Sequence, residues 1–403
     1  MQLSNKPHVV VYFTDAGGGH RAAAEAVVEA LHRRYEDRLT TEMVDFFRTS
    51  GTPRTLNLAP DLYPGLVRAG IWQTSYRATD GRSRARVITA SLWPYLRRIA
   101  NHLVKSHPAD LVVSTHPFAN SLLIKAMGKD RPPFFTVITD FGTIHALWFD
   151  KRADRIFVPA EAARDRGLSY GMDPSRVEVV GFPVLARYCE PPPDRESLRK
   201  KFGWPPQTPV VLIVGGGEGM GPVAKAARAI DESGLYVMQV IVAGRNKRLK
   251  GALEASTWVN PTTIYGFTRE MPDLLHGADV LLTKAGGATV AEALNAGIPM
   301  ILYAHVRGQE EGNVTYVEQA GAGVYAPTPK LLVRSLTRWV SRPQERARAA
   351  ENARKAARPQ AADLIASAIG RELRLHAVRG GRAVQADRRK TRPLVEQSHP
   401  HKT

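Results

Sequence analysis

An α/β fold of two Rossmann-like halves in tandem is what this sequence predicts, and three observations predict it. Short apolar, β-branched runs alternate with helical patterns along most of the chain. Glycine-rich turns join a strand to a helix in both halves. A cluster of prolines (Pro191, Pro192, Pro193, Pro205, Pro206 and Pro209) separates the first alternating series from the second. The 403 residues are enough for two domains with sizeable cores. With 43% hydrophobic and 23% charged residues the composition is that of an ordinary globular protein, which excludes wholesale disorder and collagen-like repeats. The single cysteine, Cys189, leaves no intrachain disulfide and no zinc cluster of the usual kind, so a reducing cytoplasm is the expected setting. No apolar run approaches the ~18 residues of a membrane span, and the first strand runs into Asp15 without the layout of an export signal.

The first half opens with a strand over residues 8–14, a turn at Gly17, Gly18 and Gly19, and an alanine-rich helix over 22–31. Further strands are expected over 41–46, 110–114, 134–139, 156–158 and 177–180, with helices between several of them. Residues 1–188 are read as one domain and 189–209, where prolines flank a short basic helix, as a linker. The second series has strands at 210–214, 236–242, 262–265, 280–283, 300–303 and 324–325, the first of them entering a glycine turn at 215–221 and a helix opened by Pro222. An Ala/Arg/Glu-rich helix after Pro343, a break at Pro359 and an apolar helix around 361–373 complete the second domain, 210–375. Residues 376–403 carry Arg379, Arg382, Arg388, Arg389, Lys390, Arg392 and Lys402 without an apolar pattern and read as a disordered basic tail.

The turn Asp15-Ala16-Gly17-Gly18-Gly19-His20-Arg21-Ala22 fits G-x-G-x-x-A, a weak sign of a nucleotide when taken alone. Its glycines let backbone approach a ligand closely, and the helix that follows presents free N–H groups. His20 stands where that helix starts. With a free pKa of about 6.5, an imidazole there can take a proton from a hydroxyl near neutral pH, the alternative role being a tether for a neighbouring loop. The second turn can hold a diphosphate through Gly216, Gly217 and Gly219; no Lys-Ser or Lys-Thr follows Gly221, so it is not a triphosphate-hydrolysing loop. The third, Thr283-Lys284-Ala285-Gly286-Gly287-Ala288-Thr289, leads to Glu292 one helical turn later, where a carboxylate can accept both hydroxyls of a ribose while the turn amides hold a diphosphate. Gln309 and Glu310, just after the next strand, add groups suited to sugar hydroxyls.

Lys+Arg 56 against Asp+Glu 38 gives a net charge of +18, which favours polyanions: nucleic acid, an anionic membrane or phosphorylated substrates. Between positions 72 and 105 basic and aromatic residues interleave: Trp72, Arg77, Arg82, Arg84, Arg86, Trp93, Tyr95, Arg97, Arg98 and Lys105. Such arginines gain about 1 kcal/mol each near an anionic surface, and aromatic rings suit the headgroup region. The alternative for this stretch is a solvated basic helix face.

Taken together, these segments resemble the GT-B glycosyltransferases related to the lipid II synthase MurG, and most closely the diacylglycerol glycosyltransferases: the monogalactosyldiacylglycerol synthases and their bacterial, in part processive, glucosyl relatives. The resemblance runs over about residues 9–325. It implies two Rossmann-like domains facing across a cleft, closed by a kinked C-terminal helix. It makes Gly18, Gly19 and His20 the acceptor-side loop with the histidine as base, and Asp140, His145 and Trp148 part of the N-domain cleft. Val180-Gly181-Phe182-Pro183-Val184 becomes the interdomain junction. Arg245, Asn246, Gly266 and Phe267 become the turns around the uracil, and Lys284, Gly286, Gly287, Thr289, Glu292, Gln309, Glu310 and Asn313 the nucleotide-sugar signature.

The implied reaction is inverting transfer of a glucosyl or galactosyl unit from a UDP-sugar to the hydroxyl of diacylglycerol, with the choice of sugar open. A transferase using UDP-GlcNAc or another UDP-sugar on a polyprenyl-linked or soluble acceptor is the nearest alternative. An NAD-dependent oxidoreductase leaves the second half unexplained, and a nucleic-acid binder has only the net charge in its favour. The chain contains no Asp-x-Asp pair, so no essential metal and no cofactor beyond the sugar nucleotide are expected. Peripheral docking on the inner face of a membrane is expected through Trp72, Arg84, Arg86, Trp93, Arg97 and Arg98.

Overall fold

The computed structural model describes residues 6–15, 17–48 and 57–377. Of the basic tail expected over 376–403, residues 378–403 lie outside the described residues. Among the described residues twelve strands form two six-stranded sheets, with every pairing parallel. The first sheet comprises β1 (His8–Phe13), β2 (Thr40–Asp45), β3 (Leu111–Ser114), β4 (Phe134–Val137), β5 (Arg155–Val158) and β6 (Val177–Val179), in the order β2-β1-β3-β4-β5-β6. The second comprises β7 (Val210–Val214), β8 (Met238–Val242), β9 (Thr262–Tyr265), β10 (Val280–Lys284), β11 (Met300–Ala304) and β12 (Gly323–Tyr325), in the order β12-β11-β10-β7-β8-β9. The central strands are continuous apolar runs because helices cover both faces: Val9, Val10 and Val11 of β1 and Val210 to Ile213 of β7 are inaccessible to solvent.

This order decides where ligands can bind. In each sheet the order in which strands are added reverses beside the first strand, between β1 and β3 and between β7 and β10. At such a switch point the following connections leave on opposite sides and open a crevice beyond the carboxyl ends. The glycine turns singled out in the sequence follow β1, β7 and β10, so they occupy both crevices.

Three features depart from the expected organisation. The first helix runs over Gly19–Tyr35, three residues earlier than expected, because Gly18 at φ 79° forms its N-cap. His20 therefore stands in the first helical turn. Between β2 and β3, among the described residues, lie the helices Ala59–Arg68, Ile71–Thr79 and Arg82–Ser106, the last of which packs into the first domain's core through Leu96, Ile99, Ala100 and Leu103. The final helix, Ala361–Glu372, packs on the first domain rather than the second: Ala362, Ile365, Ala366 and Ile369 bury against Val9, Val27, Leu31 and Tyr35. An apolar face does not declare which sheet it will cover, so the sequence reading grouped this helix with the domain that precedes it. The linker helix Arg195–Phe202 is anchored on the second domain, where Arg195 and Arg199 reach the buried Asp279 at 2.8 and 2.6 Å.

The domains meet backbone to backbone. A Cβ on Gly312 would lie 2.2 Å from the Thr143 nitrogen, and one on Gly287 would lie 2.4 Å from the Thr139 carbonyl oxygen. The Phe141 N–H donates to Asn313 Oδ1 at 2.9 Å, and the Gly312 N–H donates to Thr143 Oγ1 at 2.8 Å.

Candidate active site

Between the two switch points lies a cleft of about 870 Å³. Its first wall is the start of the helix Gly19–Tyr35. His20 is buried there, with Nδ1 2.7 Å from the Thr115 carbonyl oxygen and 3.1 Å from Thr139 Oγ1. A carbonyl only accepts, so Nδ1 carries the proton and Nε2 keeps its lone pair. Burial lowers the pKa to about 4, more than the Thr115 hydrogen bond raises it, so the imidazole is neutral and basic at Nε2 at physiological pH. The His116 ring packs edge-on at 4.7 Å, and Trp148 lies tilted at 5.9 Å.

Asp140 reaches the cleft from the loop after β4 and is 5% exposed. Trp148 Nε1 donates to its Oδ2 at 3.3 Å. Burial, reinforced by the charge of Glu310, raises its pKa to about 7 despite hydrogen bonds from Trp148 and Gln309 and the nearby Lys284. Folded protein thus binds more protons than unfolded chain between about pH 4 and 7, and stability falls as pH rises through that window. Asp140→Asn, which removes the buried charge, is expected to melt several degrees above wild type at pH 8, a gap that closes by pH 5 in thermal unfolding scans. A gap equal at both pH values would show that the carboxyl is not the cause.

The opposite wall belongs to the second domain. Gly286 caps the helix Gly287–Ala296, whose first N–H groups, with those of the Gly215–Gly217 turn, border the cleft. Thr289 lies in its first turn. Lys284, at the end of β10, pairs with Glu310, whose Oε2 also accepts from the Val306 N–H at 2.7 Å. Arg245 binds Glu218 at 2.7 Å and lies 4.7 Å over the ring of Phe267, which is 59% exposed. Glu292 is half-buried in the cleft, accepts a hydrogen bond from the Tyr188 hydroxyl, and has its pKa raised to about 7 by burial. Gly18 faces Gly217, and Gly19 faces Ala288, each at 3.9 Å from the position of a Cβ, so the acceptor-side and donor-side turns confront one another across the gap. Positive helix ends and basic side chains on one side, with a neutral imidazole on the other, can accept a diphosphate and activate a hydroxyl beside it.

Several residues expected to touch ligand have other partners. Asn313 is inaccessible and ties the domains together, its Nδ2 donating to the Ala285 carbonyl at 2.9 Å. Asn246 caps the helix Lys247–Glu254 through the Leu249 N–H at 2.9 Å. Gly219 is where it is because a Cβ would stand 2.1 Å from the Ala243 carbonyl oxygen, and Gly266 borders Lys250 rather than the cleft. His145 caps its own short helix through Leu147, and Trp148 works through Asp140. Of the docking residues, Arg84, Arg86, Arg97 and Arg98 are exposed. Trp72 instead turns inward to Gln309 at 3.1 Å, and Trp93 packs on the core beneath the Lys125 ammonium at 4.4 Å. Tyr63 and Tyr188 line the cleft and escaped the sequence reading, since a lone aromatic carries no spacing signal; Thr139, beside the expected Asp140, lines it too.

With this geometry in place, comparison with known proteins is direct. A family model described as monogalactosyldiacylglycerol (MGDG) synthase matches residues 20–184, and one described as glycosyl transferases group 1 matches residues 194–356. A probable chloroplastic monogalactosyldiacylglycerol synthase of Nicotiana tabacum is 35% identical over 367 residues, covering 88% of this chain and 68% of its own. Monogalactosyldiacylglycerol synthase 1 of Arabidopsis thaliana is 34% identical with the same coverage. Among solved structures, MurG of Acinetobacter baumannii superposes with a TM-score of 0.57 at 16% identity over 91% of this chain and 99% of its own. Anabaena HepE, solved with UDP and glucose, does so with 0.54 at 16% identity over the same shares. These structural likenesses establish the fold. Fold and site together define a GT-B glycosyltransferase that uses a UDP-sugar. The chain belongs to the monogalactosyldiacylglycerol synthase family.

Proposed function

We propose that this glycosyldiacylglycerol-forming enzyme transfers galactose from UDP-galactose to the free hydroxyl of diacylglycerol with inversion. The observation that carries the reading is His20, locked as the Nδ1–H tautomer and facing the diphosphate cradle of the second domain. The acceptor oxygen attacks the anomeric carbon, the bond to UDP breaks on the opposite side, and the acceptor proton passes to His20 Nε2. Galactose rather than glucose is favoured by the names of the relatives. Parallel incubation of diacylglycerol vesicles with UDP-galactose and UDP-glucose, followed by mass analysis of the lipid and chromatography of its released sugar, tests this: a galactolipid as the dominant product is expected, and a glucolipid or a glycosylated polyprenyl carrier would replace the reading.

Lys284, Arg245 and the helix N-termini supply positive charge around the leaving diphosphate, which supports turnover without a divalent ion. Initial rates in EDTA are expected to match those in buffer; loss of activity restored by magnesium or manganese would overturn this.

Peripheral docking on the inner face of a membrane completes the proposal. Among the described residues no helix is long and apolar enough to cross a bilayer. Exposed Arg84, Arg86, Arg97 and Arg98 share the helix Arg82–Ser106 with Tyr95, 80% exposed, and Leu62 and Ile71 stand exposed on the two preceding helices. Tyr95, rather than Trp72 or Trp93, is the aromatic offered to the interface. Flotation with vesicles is expected to increase with anionic lipid and to weaken at high salt; indifference to both removes this face from the proposal.

A further inference from the structure

The Gln309 carboxamide is held on three sides. Its Oε1 accepts from Trp72 Nε1 at 3.1 Å and from the Tyr63 hydroxyl at 3.4 Å. Its nitrogen end is turned toward the Asp140 carboxylate, whose pKa it lowers. Tyr63 and Trp72 come from separate helices and meet edge to face at 4.9 Å between ring centroids. An indole N–H can only donate, so this pair dictates which end of the carboxamide is oxygen. The loop that carries Gln309 rests on the same helix: Arg77 binds Glu311 at 3.0 Å, and a Cβ on Gly308 would touch the Gln73 backbone at 3.5 Å.

We propose that Tyr63 and Trp72 are positioning residues that fix Gln309 with its oxygen turned to the aromatic pair and its nitrogen toward Asp140 and the cleft, so that the donor hexose meets Gln309 as a hydrogen-bond donor. The inference rests on the transferase reading above and adds a polarity to it. With Oε1 occupied by the aromatic pair, the N–H groups beside Asp140 are what Gln309 offers to a sugar hydroxyl oxygen. The proton of that hydroxyl is then left for a carboxylate, and Asp140 and Glu310 both border the cleft. A carboxylate in place of Gln309 would satisfy Tyr63 and Trp72 equally well but would offer the sugar no donor and would repel Asp140.

The test is equilibrium titration of UDP-galactose and of UDP, without acceptor, into the 403-residue protein and its Tyr63→Phe/Trp72→Phe and Gln309→Glu variants. The ratio of the two Kd values isolates the hexose. Loss of two hydrogen bonds predicts a rise of roughly tenfold in that ratio for the double variant, with UDP affinity within about twofold of wild type. Gln309→Glu is expected to raise the ratio at least as much. A wild-type ratio in Gln309→Glu would overturn the donor assignment. Equal weakening of UDP and UDP-galactose in the double variant would show that the aromatic pair merely supports the fold. Failure of the transferase reading is seen separately, as absence of hexose from lipid in the vesicle assay, since the titrations need no turnover.

Discussion

His20→Ala is expected to lower kcat by about 10²–10⁴-fold, the ordinary contribution of a positioned base, while the Kd for UDP stays within about twofold of wild type. The split follows from placement: His20 belongs to the first domain, and the groups that border the nucleotide cradle belong to the second. The substitution also leaves the Thr115 carbonyl without its Nδ1–H partner at a cost of about 1–3 kcal/mol. UDP titration therefore serves as the check that the cleft survives, and His20→Gln, which restores a donor but no base, should be equally inactive. The pH profile separates the base from its neighbours. Burial holds His20 at about 4, so it remains unprotonated well below the ordinary histidine range, and an acid limb of kcat/KM near 7 would instead belong to the Asp140 or Glu292 carboxyl. Near-normal turnover in both His20 variants would place the base elsewhere.

Glu292→Ala is expected to act on the other substrate. A carboxylate accepting two ribose hydroxyls makes charge-assisted hydrogen bonds whose loss costs about 3 kcal/mol in total, roughly 100-fold in the Kd for UDP-galactose. Its pH dependence has a definite sign. Because burial raises the Glu292 pKa to about 7, the ionised form that accepts both hydroxyls is populated above that value and lost below it. Binding should therefore tighten from pH 6 to pH 8 more steeply in the wild type than in Glu292→Gln, whose remaining slope belongs to Asp140. The diphosphate of a UDP-sugar, esterified at both ends, has no ionisation in that range to obscure the effect. Parallel curves for wild type and Glu292→Gln would mean that Glu292 does not touch the ribose.

Local pattern made most of the fold legible. Runs such as Val9 to Val11 and Val210 to Ile213 have to be buried strands, glycine turns have to follow them where backbone must come close to a ligand, and a proline cluster cannot continue either element. His20, Lys284, Gly286, Gly287, Glu292, Gln309 and Glu310 were singled out by their glycine turns and loop positions together with the family resemblance, and all of them line one cleft. Asn313 and Asn246 were misjudged because an amide on a conspicuous loop looks the same in sequence whether it faces a ligand or holds two backbones together. Trp72 was misjudged because an alternating basic and aromatic pattern does not say which way a ring turns once a second domain is present to receive it.

The strands, the glycine turns that follow them and the candidate base were readable from the chain, since each is signalled by a pattern spanning only a few residues, even though the parallel pairings themselves join strands as far apart as Val9 and Leu111. The tertiary structure alone decided the tautomer of His20, the raised pKa values of Asp140 and Glu292, the crossing of the final helix onto the first domain and the inward turn of Trp72. Those properties depend on burial and on partners about 95 to 330 residues away, such as Thr115 for His20 and Gln309 for Trp72. Desolvation and hydrogen-bond direction exist only once such distant groups have been brought together.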